Sequence, residues 1–223
     1  MAAPVLLFSV IAHEYAHGYA ALKQGDTTAL SLGRLTWNPV KHIDPFMTVI
    51  LPLVLAISSK GQIILGGAKP VPVNPRNYRN FKRGDIIVSL AGVTANLVIA
   101  LAAVIVFIIA GLLGRGLSGL ETTLAIMQAM MVTAVRINLL LLAFNLIPIP
   151  PLDGSHVVKY LLPLRLAVWY QQVGRYGIVI LVLLLSFGGT LLNTWLAPAF
   201  SFGELLLRLA DPYKLPSLSL WLA

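Results

Sequence analysis

Residues 4–23 read PVLLFSVIAHEYAHGYAALK. The stretch is long and apolar enough for a membrane helix, which needs about 20 residues to cross the hydrocarbon. Yet its middle carries His13, Glu14 and His17. Ionisable side chains at that depth are costly, so a helix that keeps three of them reads as a functional site. His13-Glu14-Tyr15-Ala16-His17 is an H-E-x-x-H pattern. Residues i and i+4 share a helical face, so two imidazoles can grip one zinc ion, while Glu14, about 100° around the helix, reaches a water at the metal. The bland alternative is a polar helix contact in which the imidazoles only hydrogen-bond neighbouring helices. A secretory signal peptide wants a basic n-region and a clean apolar h-region, and this stretch has neither.

Composition places that helix in a bilayer. Of 223 residues, 58% are apolar and 11% charged, where a soluble domain averages roughly 45–50% and about 25%. Too little polar surface remains to coat a water-soluble globule, and the chain reads as an all-α polytopic membrane protein. It contains no cysteine, which excludes disulfides, thiolate zinc sites, iron–sulfur clusters and cysteine nucleophiles; any metal must be held by His, Asp or Glu. The net charge of +8, from 16 Lys and Arg against 8 Asp and Glu, suits the basic cytoplasmic loops of a membrane protein better than nucleic acid, which is not expected as a partner.

Uncharged runs at 86–114 and 176–203 are each long enough to cross. A third, 122–145, is broken only by Arg136, whose guanidinium must snorkel or face a polar interior. The run 45–59 is short, contains Pro45 and Pro52, and has basic flanks, which favours a re-entrant or interfacial hairpin over a crossing. The expected total is four to six membrane helices or half-helices. Residues 62–73 read as a small β-strand element after the first zinc-ligand helix, with prolines suited to an edge strand. The basic loop 74–84 and the cluster Lys159, Arg165 and Arg175 are expected on one, cytoplasmic, side. The whole of 1–223 reads as a single membrane-embedded domain, with a core at 4–163, a C-terminal membrane helix at 174–203 and a tail at 204–223. Residues 202–210 are expected to form a short amphipathic surface helix, and the tail with Pro212 and Pro216 to be irregular.

A catalytic zinc needs a third protein ligand and an open position. Outside the motif the carboxylates are Asp26, Asp44, Asp85, Glu121, Asp153, Glu204 and Asp211. Asp153 stands apart because the prolines at 148, 150 and 151 end the preceding span and free the backbone to turn a side chain inward. It reads either as the N-cap of a following helix or as the third ligand, and the H-E-x-x-H motif tips the choice toward the ligand.

The pairing of H-E-x-x-H in a membrane helix with the break Asn145-Leu146-Ile147-Pro148-Ile149-Pro150-Pro151-Leu152-Asp153-Gly154 resembles the site-2 protease family of intramembrane zinc metalloproteases. Gly33-Arg34-Leu35, Asn38-Pro39, His42 to Pro45, Ala68 to Pro72 and Ala91-Gly92 to Asn96 are similar to its short prokaryotic branch. The resemblance implies one zinc per chain bound by His13, His17 and Asp153, with Glu14 as catalytic acid and base and Asn145 assisting peptide or oxyanion binding. It also implies a membrane-protein substrate with a transmembrane helix, a multi-pass location in a prokaryotic cell membrane and the lipid bilayer as partner, and it leaves a homo-oligomer open. Gly92 is followed by Val93, where the family commonly has proline. His42 and His156 are not assigned roles. A metal-binding scaffold without proteolysis is the alternative from another class, and a metal transporter a third.

Overall fold

The computed structural model of the protein describes residues 2–44, 50, 57 and 68–221. Its main elements are helices: α1 (Ala2–Gln24), α2 (Thr28–Ser31), α3 (Phe81–Gly116), α4 (Glu121–Asn145), α5 (Asp153–Val158), α6 (Leu164–Val173), α7 (Gly177–Phe187) and α8 (Gly189–Ala210). No strand occurs among the described residues. The expected β element is therefore not seen: 68–74 is extended chain without strand pairing, and 62–67 lies outside the described residues, as does almost all of the expected hairpin 45–59.

Three helical stretches are long and apolar enough to cross a membrane: α3, α4 and Leu164–Phe187, in which α6 continues through a 3-10 turn into α7. The apolar run 176–203 is not one helix. It divides at Gly188-Gly189, where two adjacent glycines each weaken a helix by about 1 kcal/mol relative to alanine. The Gly188 N–H closes α7 on the Leu184 carbonyl at 2.7 Å. α8 then runs unbroken to Ala210, so 202–210 is its last part rather than a separate helix.

The chain forms two compact units, Val10–Gly92 and Met1–Ser9 with Val93–Ala223. In the second, Val5, Ala100, Ala103, Ala134, Val135 and Leu139 form a buried cluster. Its alanines let helices approach closely, and polar side chains bind them together, as is common in membrane bundles. Asn138, fully buried on α4, donates to Ser9 Oγ at 2.9 Å and to the Ala134 carbonyl at 2.8 Å. Gln128 fastens the C-terminal tail: its amide nitrogen donates to the carbonyls of Phe107 and Tyr213, and its oxygen accepts the Leu215 N–H at 3.0 Å. The expected irregular tail is thus anchored, with Leu215 and Leu218 only 1% exposed. Arg136 pairs with Glu204 of α8 at 3.2 Å, both side chains more than half exposed, so its charge is answered on an outer face.

In the unit Val10–Gly92, Ala21, Tyr78 and Val88 form a small core. Asp26 organises the loop that follows α1. Its Oδ1 accepts the Thr28 N–H at 3.1 Å, the Thr28 hydroxyl at 2.5 Å and the Asn77 amide at 2.8 Å, and its Oδ2 accepts the Asn74 N–H at 2.6 Å. Burial pushes the carboxyl pKa up, but the hydrogen bonds from Asn74, Thr28 and Asn77 outweigh it and hold the group below its ordinary value. A depressed folded pKa stabilises the protein above the unfolded pKa and ceases to do so as pH falls through the folded value. Asp26→Asn is expected to destabilise by about 1.5–3 kcal/mol at pH 7, with the gap to wild type narrowing below about pH 4. Denaturation curves of both proteins at the two pH values check this.

Candidate metal centre

His13 and His17 lie one turn apart on α1, with ring centroids 4.6 Å apart and planes at 83°. His17 Nδ1 is 2.7 Å from the Val88 carbonyl oxygen on α3. A carbonyl can only accept, so Nδ1 carries the proton and a neutral His17 keeps its lone pair on Nε2. That Nε2 lies 3.0 Å from His13 Nε2. Two imidazole nitrogens at a tetrahedral zinc, with bonds of 2.0–2.1 Å, would be about 3.3 Å apart. The pair is therefore close to the spacing that one ion needs, and the bond from His17 to Val88 is the outer-shell hydrogen bond that metal-binding histidines ordinarily make.

Room for an ion comes from α3. Gly92 lies one turn beyond Val88, on the same face. A Cβ there would stand 2.5 Å from His13 Cε1 and His17 Nε2 and 2.6 Å from His13 Nε2. Any side chain would fill the space beside both Nε2 atoms. Residues present here thus fit a metal by two independent observations: the orientation of His17 and a cradle that only glycine leaves open. Glu14, half-buried, accepts the Val71 N–H on Oε2 at 2.7 Å.

Asp153 and Asn145 belong to the other unit. Asn145 is the last residue of α4, and its amide nitrogen donates to the Leu141 carbonyl at 2.9 Å. Asp153 is not the N-cap residue: Leu152 holds that place on α5, and Asp153 is the first residue of the helix. Gly154 follows because α5 begins hard against the preceding turn, where a Cβ would meet the Leu146 carbonyl oxygen at 2.2 Å. The proline-rich turn itself is held by Tyr170, which donates to the Pro148 carbonyl at 2.9 Å, and by apolar packing of Ile147 and Leu152 on Leu181. His156 accepts from Lys159 at 3.4 Å. His42 is buried in its loop and donates to the Thr36 carbonyl at 2.9 Å, which gives it a structural part.

The model of Peptidase family M50 matches residues 1–188. The chain belongs to family M50, the site-2 protease family. It is 34% identical over 184 residues to the Bacillus subtilis (strain 168) protein named "Putative zinc metalloprotease YwhC", covering 80% of this chain and 77% of that one. It is 31% identical over 189 residues to "Putative zinc metalloprotease Rip2" of Mycolicibacterium smegmatis, covering 85% and 67%. The Rip2 protein of Mycobacterium tuberculosis (strain ATCC 25618 / H37Rv) is 31% identical over 148 residues, covering 66% of this chain and 52% of its own. No solved structure matches.

Around His13 and His17 the geometry brings in Val88 and Gly92 of α3. The sequence offered a signal for Gly92: a glycine inside an apolar helix usually has a packing reason. Gly92→Ala is expected to lower zinc affinity by at least tenfold, measured by metal analysis after titration with a chelator. Gly116→Ala, where a Cβ would meet nothing within 4 Å, should leave the zinc content unchanged.

Proposed function

We propose that the protein is a zinc-dependent endopeptidase that cleaves membrane-protein substrates in or near a transmembrane segment, with one zinc held by His13, His17 and Asp153. Two imidazoles and a carboxylate are by their chemistry a donor set suited to catalytic zinc with an open position. The observation that carries the reading is the His17 imidazole fixed by Val88, with Gly92 keeping the space beside both Nε2 atoms clear. Membership of M50 and the names of the relatives support a zinc metallopeptidase. The three apolar helical stretches support membrane residence, and we read the protein as multi-pass in the cell membrane, its basic loops cytoplasmic. The whole chain acts as one membrane-embedded domain.

A zinc ion held by His13, His17 and Asp153 would supply Lewis acidity, making a water easier to deprotonate and polarising the scissile carbonyl. Glu14 takes the proton of the attacking water as the oxygen–carbon bond forms, and gives it to the departing amine nitrogen as the carbon–nitrogen bond breaks. Asn145 has one amide N–H on Leu141 and a second for the substrate carbonyl oxygen, where a donor steadies developing negative charge. A helical substrate hides its carbonyls in its own hydrogen bonds, so cleavage requires local unwinding.

Cleavage of a transmembrane peptide by the purified protein in liposomes tests the reading. Glu14→Gln is expected to lower turnover by about 10²–10⁴-fold while keeping zinc, and His13→Ala and Asp153→Ala to lose zinc and turnover together. A wild-type protein that holds zinc without cleaving any such peptide would instead be a metal-binding scaffold.

A further inference from the structure

The stretch Lys69-Pro70-Val71-Pro72-Val73-Asn74 has a property that its composition dictates. Proline has no N–H and biases the residue before it to extended backbone. The segment is therefore a stiff extended strap whose amide donors are thinned to Lys69, Val71, Val73 and Asn74. Three of these reach outward along the unit. Lys69 N–H donates to the His42 carbonyl at 2.8 Å, Val71 N–H to Glu14 Oε2 at 2.7 Å, and Asn74 N–H to Asp26 Oδ2 at 2.6 Å. Arg34 donates to the Lys69 carbonyl at 3.0 Å and the Pro70 carbonyl at 3.4 Å. Val71 is buried over Gly18, one turn beyond Glu14, where a Cβ would come within 2.8 Å of Val71 Cγ1. The strap thus lies close along α1, pinned before and after the one amide that meets Glu14.

We propose that the backbone amide of Val71 is a positioning group for Glu14. It occupies Oε2 and fixes the rotation of the carboxylate, so that Oε1 is the oxygen that receives the water proton and returns it to the amine. Such a bond to a charged acceptor is among the stronger and more directional kinds. This rests on Glu14 being the base of the proposed hydrolysis.

Val71→Pro removes the N–H. Val71→Ala keeps the N–H. In the full chain with zinc, Val71→Pro is expected to retain one zinc and lower kcat at least tenfold with KM changed less than about twofold, and Val71→Ala to retain turnover within about threefold. A second readout needs no turnover: in metal-free protein, Val71→Pro should lower the unfolding temperature by about 3–10 °C in the wild-type background and not in the Glu14→Ala background. Should Val71→Pro not fold, Gly18→Ala, which pushes the strap off α1, is expected to reproduce the loss of kcat. Unchanged kcat, a raised KM with kcat intact, or equal thermal losses in both backgrounds overturns the proposal. Absence of turnover in the wild-type protein overturns the hydrolytic reading, while the thermal cycle separately reports whether Val71 and Glu14 are coupled.

Discussion

One hydrogen bond organises the histidine pair of the candidate metal centre: His17 Nδ1–H on the Val88 carbonyl. Without it the imidazole could rotate or take the other tautomer, and its Nε2 lone pair would have no fixed direction. With it, the Nε2 atoms of His13 and His17 converge to 3.0 Å. The same face of α3 that supplies the carbonyl supplies, one turn later, the glycine that leaves the convergence point open. One helix thus orients a ligand and clears a space with two successive residues of one face, which is the economy that a 3.6-residue period makes available.

Around this pair, loop chemistry does what a sheet or a disulfide would do elsewhere. The extended strap after residue 67 is tied to α1 and its following loops by backbone donors that proline has thinned to a few, and by the carboxylate of Asp26 at the loop corner. Aromatic stacking of Tyr15 on Trp37, centroids 4.8 Å apart, adds a further hold on the loop beyond α2. The strap's donors find partners near in space but distant in sequence, from His42 for Lys69 to Glu14 for Val71, so the unit depends on them jointly rather than on any one apolar cluster.

Sequence made the helix that carries the H-E-x-x-H pattern legible because its signal is local. H-E-x-x-H has meaning only at helical spacing, and α1 extends just beyond the expected 4–23. The spans at 86–114 and 122–145 were legible for a similar reason, since Asp85, Arg115 and Glu121 mark three of their ends and the prolines after Asn145 the fourth; α3 runs a few residues beyond its span and α4 starts one residue earlier. Hydropathy alone misread 176–203 as one helix, because leucines continue through a glycine pair that breaks the backbone without altering the apolar run. Gln128 went unremarked although an amide inside an apolar span needs a partner; its partners lie up to 87 residues away, beyond any local pattern. Asp153 was legible as the distinctive carboxylate, yet whether it capped its helix could be decided only from the backbone, which gives that place to Leu152. Prolines in 70–72 were legible as an edge-strand signature. Their consequence was different, because restricting donors matters to a carboxylate as much as to a sheet.

The central claim is that a single zinc is held by two imidazoles and one carboxylate. X-ray absorption at the zinc edge of the purified, loaded protein tests it most directly. The account predicts a four-coordinate site with two imidazole nitrogens at about 2.0–2.1 Å and oxygen ligands at about 2.0–2.2 Å. A spectrum with three or more imidazoles, or one with only oxygen neighbours, contradicts it.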